Sequence, residues 1–237
     1  MSNKAQANDT SAFMLFRLIP NGEKYKRQVV YMETINRTIA DDDLAVRLKQ
    51  LYEDFEADYV VMDTNGIGLG VYNACTSILP DKARDKEYEA WSCINDESMN
   101  LARKNQGLPV IYSVKGNQVF NTQIATLLRN AFENNRISIP ITDIEKRAEL
   151  NSEGKLLGLS EEEQTRQLYT FYQSTALGNE LTALEYTVNN MNVKIQEPRS
   201  GTKDRYSALA YGNYYAVELE KELVKEQNNG YEDFIFF

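Results

Sequence analysis

The stretch Tyr59-Val60-Val61-Met62-Asp63-Thr64-Asn65-Gly66-Ile67-Gly68-Leu69-Gly70 decides the fold of this 237-residue chain. Residues 59–62 are a short apolar run rich in β-formers and read as a buried strand. Asp63 falls where that strand stops, and Gly66, Gly68 and Gly70 follow. Glycine permits the tight turns and close backbone approach that a ligand site needs. Chemistry in α/β folds sits at the carboxyl ends of strands. The plain alternative is that Asp63 caps the next helix.

Upstream, Asp41-Asp42-Asp43 offers a helix start with an acidic first turn. Leu44, Leu48, Leu51, Tyr52 and Phe55 follow at helical spacing. Before that helix, the β-like runs 11–19 and 25–35 flank Asn21-Gly22 and predict an antiparallel hairpin. Downstream, helices are expected over 71–78, 117–134 and 142–150, and strands over 108–114 and 136–139. Ser160 and Glu163 carry a capping-box signature that opens a helix to about 173. A further helix is expected over 177–190, a strand over 192–196, and a long amphipathic helix from 202 to about 227. The apolar tail 231–237 reads as an edge strand, a docking segment or a partner contact. Residues 80–107 are charged, polar and without periodicity, and read as a flap or insertion. Hairpin first, then alternating strands and helices, predict one α/β domain over 1–237: a mixed central sheet flanked by helices.

The composition, 42% hydrophobic and 26% charged, is that of an ordinary globular protein. No stretch approaches transmembrane length, and residues 1–8 lack the apolar core of a secretory signal. Cys75 and Cys93 form no Cys-x-x-Cys pair, which argues against structural zinc and for a reducing compartment. The chain has no histidine. That excludes Ser-His-Asp and Cys-His catalysis, and leaves only oxygen ligands for any metal, pointing to magnesium or manganese. A net charge of −9 argues against tight autonomous binding to DNA.

Asp204 opens the last helix after Pro198-Arg199-Ser200-Gly201. Two acids at element ends, aimed into a shared cleft, repel unless a cation lies between them. Asp63 and Asp204 therefore read as a divalent-metal pair; two such ions about 4 Å apart can activate a water and stabilise the leaving oxygen of a phosphodiester. The alternative is that Asp204 only caps its helix and Asp63 only shapes a turn.

Asp63-Thr64-Asn65-Gly66-Ile67-Gly68, with Lys203-Asp204-Arg205-Tyr206-Ser207-Ala208-Leu209-Ala210-Tyr211-Gly212-Asn213, resembles the nuclease domain of tailed-phage large terminase subunits. The resemblance covers most of the chain and is weakest over 80–107 and 145–195. It implies an RNase H-like (retroviral integrase-like) fold. It implies a two-metal-ion endodeoxyribonuclease, using magnesium or manganese, that cuts concatemeric viral DNA during genome packaging. Asp63 matches the acid of the family's central strand and Asp204 that of its late helix, both catalytic and metal-binding. Lys203 and Arg205 then lie beside the cut phosphate, or else pair with neighbouring acids. The implied partners are double-stranded DNA, a terminase ATPase domain or small subunit, and the portal protein, in the host cytoplasm and away from membrane.

Two departures qualify the resemblance. The family's first catalytic acid lies on a strand before the hairpin, and Asn8-Asp9 resembles the segment just after it, so that first strand is expected to be missing. No Gly-x-x-x-x-Gly-Lys-Ser/Thr motif of an ATPase domain occurs. The expectation is a weak or silent nuclease when the chain acts alone. A competing expectation is a non-catalytic packaging module that docks to DNA or the portal. A nucleotide-binding reading of Gly66-x-Gly68-x-Gly70 is discounted, because the spacing is not Gly-x-Gly-x-x-Gly and Asp63 would repel a phosphate.

Overall fold

The computed structural model describes residues 10–35, 39–101, 107–189, 192–197 and 201–232. In chain order its elements begin with β1 (Ser11–Asn21), β2 (Lys24–Ile35), α1 (Asp41–Asp54), β3 (Val60–Asp63), α2 (Ile67–Cys75), β4 (Leu79–Asp81) and β5 (Lys86–Tyr88). Next come β6 (Trp91–Cys93), α3 (Glu97–Leu101), β7 (Leu108–Val114), α4 (Gln118–Glu133), β8 (Ile137–Ser138) and α5 (Asp143–Ser152). Last are α6 (Glu161–Ala183), β9 (Glu185–Asn189), β10 (Asn192–Gln196) and α7 (Asp204–Glu232). They divide between two compact units, Met1–Asn8 with Arg37–Phe120, and Asp9–Asn36 with Asn121–Phe237.

The first unit is built on a parallel sheet of order β3-β7-β6. Its strands are apolar runs, as a sheet covered on its faces requires. Val60, Met62, Val110 and Ile111 bury together with Tyr72 and Cys75 of α2. Helix α2 starts at Ile67, before the 71 expected from sequence, so Gly68 and Gly70 lie inside it. The glycines permit contact: a Cβ on Gly68 would stand 1.7 Å from the Asp63 carbonyl oxygen. Lys49 of α1 is 1% exposed. Its ammonium donates to the carbonyls of Cys75 (3.0 Å) and Glu89 (2.5 Å) and lies 4.4 Å from the Trp91 ring centroid. Burial pushes that ammonium down to about 8.

The polar stretch after residue 79 holds a hairpin, β4–β5, with Leu79 opposite Tyr88. Arg84 at its tip bonds both carboxylate oxygens of Asp54. Strand β6 is buried along its length. With three residues it is too short to show a period. Residues 102–106 of the expected flap lie outside the described residues.

The second unit carries the predicted hairpin, β1 antiparallel to β2, with Gly22 at φ +65° in its turn. On the other side of β2, β8 pairs in parallel, with Arg27 opposite Ile137. The chain is thus α/β, and this sheet is mixed. The described strands form two three-stranded sheets and two two-stranded ribbons where the sequence suggested one central sheet. Helix α7 lies against β1, where a Cβ on Gly212 would stand 2.2 Å from the Phe16 ring. Its buried residues Tyr206, Leu209, Asn213, Ala216 and Glu220 recur at helical spacing. The helix runs through Glu232, and residues 233–237 of the apolar tail lie outside the described residues.

One helix, α6, replaces the two expected over 160–190. Ser160 and Glu163 do form the predicted capping box, and Thr142 and Glu145 form another at α5. The helix then passes through Gly178 and ends at Ala183; residues 185–189, expected as helix, are β9, paired antiparallel with β10. Tyr186, Thr187 and Val188 favour a pleated surface over a helix. A Cβ on Gly178 would meet nothing within 4 Å. Gly178→Ala is therefore expected to stabilise the protein by about 0.5–1 kcal/mol, because alanine loses less backbone entropy in a helix. Denaturant titration checks this; a lowered midpoint would mean that the helix interior is more crowded there than it stands.

Candidate functional site

Asp63 ends β3 directly opposite Val114, the last residue of β7. Its Oδ1 accepts the Asn65 backbone N–H at 2.9 Å, an Asx turn that starts the path into α2. Asn65 Nδ2 reaches across to the Gly116 carbonyl at 3.2 Å. Beneath them, Thr64 and Ser113 share a hydroxyl hydrogen bond of 2.7 Å.

Two asparagines brace the same edge. Asn95 accepts from the Ser113 N–H (2.7 Å) and donates to the Ser113 carbonyl (2.8 Å). Asn100 does the same for Cys93, at 2.9 and 2.8 Å. Each carboxamide stands in for a neighbouring strand residue and satisfies backbone groups where the ladder stops. Asp96 follows Asn95; it accepts from Ser98 and from Lys115 Nζ, the latter at 2.6 Å. Those donors hold its carboxyl down at about 2.

Asp204 is the first residue of α7, and Lys203 stands just before it, its carbonyl accepting the Ser207 N–H. Asp204 is half-buried. Burial, then the charges of Glu180 and Glu197, push its carboxyl up to about 6; Arg205 and Lys203 offset this only in part. Glu180 is buried in α6, accepting from the Tyr206 N–H (2.7 Å) and from Arg205 Nη1 (3.2 Å). Arg205 also donates from Nε to Gln173 (2.9 Å) and from Nη2 to Thr34 (3.2 Å). Its guanidinium thus joins α6, α7 and β2 through acceptors within the fold.

Asp63 belongs to the first unit, and Lys203, Asp204 and Arg205 to the second. The sequence reading did not pick out Glu180, Glu197, Asp96 or Lys115. Lys115 had a signal, since it directly follows a predicted strand. Glu180 had none, because its importance depends on α7.

The donor chemistry suits a hard divalent cation, with carboxylates and no histidine. Among the described residues, no three acids or thiols gather closely enough to hold an ion unaided. A magnesium-type ion commonly takes one or two carboxylates and completes its shell with water and substrate phosphate. Among the described residues, no helix is long and apolar enough to cross a membrane.

No protein-family model and no curated protein sequence matches the chain. Among solved structures, it is similar to the large terminase nuclease from thermophilic phage G20c with bound cobalt. The two are 13% identical, the match covers 86% of this chain and 81% of that one, and the TM-score is 0.45.

Proposed function

We propose that the chain is a metal-dependent nuclease of the terminase type, RNase H-like in fold, with Asp63 and Asp204 as metal-binding carboxylates and magnesium or manganese as the ion. Double-stranded DNA is its substrate, and a terminase ATPase domain or small subunit and a portal protein are its partners. The observation that carries this reading is the setting of Asp204, a half-buried acid with Glu180 and Glu197 in electrostatic reach. A divalent cation would relieve the part of that repulsion that Arg205 and Lys203 leave. When bound, the ion would polarise a phosphodiester and lower the pKa of an attacking water. Asp63 suits the same work, held at a strand end by the Asx turn. Lys203 neighbours Asp204 and is proposed to face the phosphate, whereas Arg205 is occupied by Glu180, Gln173 and Thr34.

Manganese-dependent nicking of supercoiled plasmid tests the reading. Asp63→Asn and Asp204→Asn are each expected to lower it by at least about 100-fold, the scale of losing a charge that acts in the transition state. Undiminished nicking in either variant would remove that residue from the site.

The stability of Asp204→Asn gives a second check. The folded carboxyl titrates near 6 against an ordinary 3.8. The folded state therefore holds the extra proton, and stability is gained as pH falls from 6 towards 4 and lost as pH rises through 6. Without metal at pH 7.5, Asp204→Asn should stabilise the protein by about 1–2 kcal/mol, after discounting for partial exposure, and the gain should vanish below about pH 4. Manganese should raise the unfolding midpoint of the native chain and leave that of Asp204→Asn unmoved. Equal shifts in both would place the ion elsewhere.

A further inference from the structure

Three loops leave the carboxyl edge of the parallel sheet, 64–66 after β3, 94–96 after β6 and 115–117 after β7, and Lys115 is their only basic residue. Its backbone is fixed on both sides. Val114 is in register with Asp63, Asn95 clamps Ser113 through both of its backbone groups, and Asn65 holds the Gly116 carbonyl. Its side chain is held less firmly. Lys115 Nζ lies 2.6 Å from Asp96 Oδ2, and the two side chains are 52% and 27% exposed. A wet ion pair of this kind is weak and exchanges readily for a stronger anion. An ammonium has three donors, and the contact with Asp96 uses one. The edge thus presents a rigid frame, the carboxylate of Asp63, and a cation on an exchangeable partner. A polyanion brought to Asp63 in a chain of net charge −9 needs such a cation.

We propose that Lys115 is a phosphate-binding residue, leaving Asp96 to take a backbone phosphate of duplex DNA next to Asp63. The inference rests on the nuclease reading above and deepens it. Asp96 then serves to hold the lysine extended until substrate arrives, and it competes with that substrate.

The test uses the full 237-residue chain. Plasmid nicking in manganese gives KM and kcat, and anisotropy of a labelled duplex over a range of salt gives the slope of log affinity. Lys115→Gln should raise KM about fivefold with kcat held within about twofold, and should reduce the salt slope by about one. Lys115→Arg should keep most of the affinity. Asp96→Asn should lower KM about twofold, because it frees the lysine and removes a repelling charge. The two partners thus move KM in opposite directions. A merely structural ion pair would instead shift the unfolding midpoint the same way in both variants and leave KM and the salt slope unchanged, which would overturn the proposal. A native chain that nicks DNA while Lys115→Gln matches it in KM overturns this inference alone. A native chain that binds no duplex overturns the nuclease reading and this inference with it.

Discussion

Gly68→Ala is expected to destabilise the first unit by about 3 kcal/mol or more, at the upper end of overpacking substitutions. The added Cβ would stand 1.7 Å from the carbonyl oxygen of Asp63 and 2.9 Å from its carbonyl carbon. Both are backbone atoms, so no side chain can swing aside. The Gly68 N–H is also tied to the Asn65 carbonyl at 3.2 Å, which fixes the turn from within. Either α2 lifts away from the strand or the Asp63 peptide rotates. Rotation would disturb the β3 ladder to β7, in which Asp63 opposes Val114. Lifting of α2 from the strand is the less disruptive course, and it draws Tyr72 and Cys75 away from the core. Trp91, the chain's only tryptophan, is 3% exposed within the same core. Its fluorescence should follow the transition, with a lower denaturant midpoint for the variant. An unchanged midpoint would mean that helix and strand are not in contact at Gly68.

Glu220→Ala is expected to cost the second unit about 3–5 kcal/mol, the range for stranding one partner of a buried ion pair. Glu220 on α7 and Arg27 on β2 are each 2% exposed. Glu220 Oε1 accepts from Arg27 Nη2 at 2.8 Å and from the Tyr25 N–H at 2.9 Å, and Oε2 lies 3.4 Å from Lys24 Nζ. Burial already weakens the guanidinium's hold on its proton, and Glu220 is the charge that offsets this. Without it, the Arg27 cation loses its counter-charge, keeping the Tyr25 carbonyl at 3.0 Å from Nη1, and the Tyr25 N–H loses its acceptor. Far-UV circular dichroism during denaturation should report the loss. The paired change Arg27→Met with Glu220→Leu should recover most of it, because it removes both charges and fills the space. A cost below about 1 kcal/mol for the single change would show that water reaches the pair.

What could be read from the sequence was what local chemistry dictates. The hairpin, β3, α1, α4, β7 and the Ser160 capping box each declare themselves within a few residues, by period, turn or cap. The unbroken course of helix α6 past residue 173 did not, because part of its buried face is polar. Gln173 and Glu180 occupy positions where an apolar stripe would have continued. They are buried because Arg205 and Thr34 meet them there, from α7 and β2. No window of sequence contains those partners. The same holds at the candidate site. Asp63 was legible as the acid that ends a strand, and the charge environment of Asp204 was not, since Glu180 lies 24 residues upstream on another element.

The chain order of the second unit has a consequence for synthesis on the ribosome. Strands β1 and β2 emerge before the rest of their unit, yet β8, which completes their sheet, and α7, which packs against β1 and β2, are encoded far downstream. Helix α7 starts about 170 residues after β2 ends; at about 5–20 residues per second that is a wait of roughly 8–34 s. Throughout it, Phe16 of the nascent hairpin lacks the helix that packs against it. Every element from α1 to β7 is contiguous and leaves the exit tunnel during the same interval. The segment from α1 to β7, although translated after the hairpin, is therefore able to close its core sooner, and the hairpin has the longer need of a chaperone.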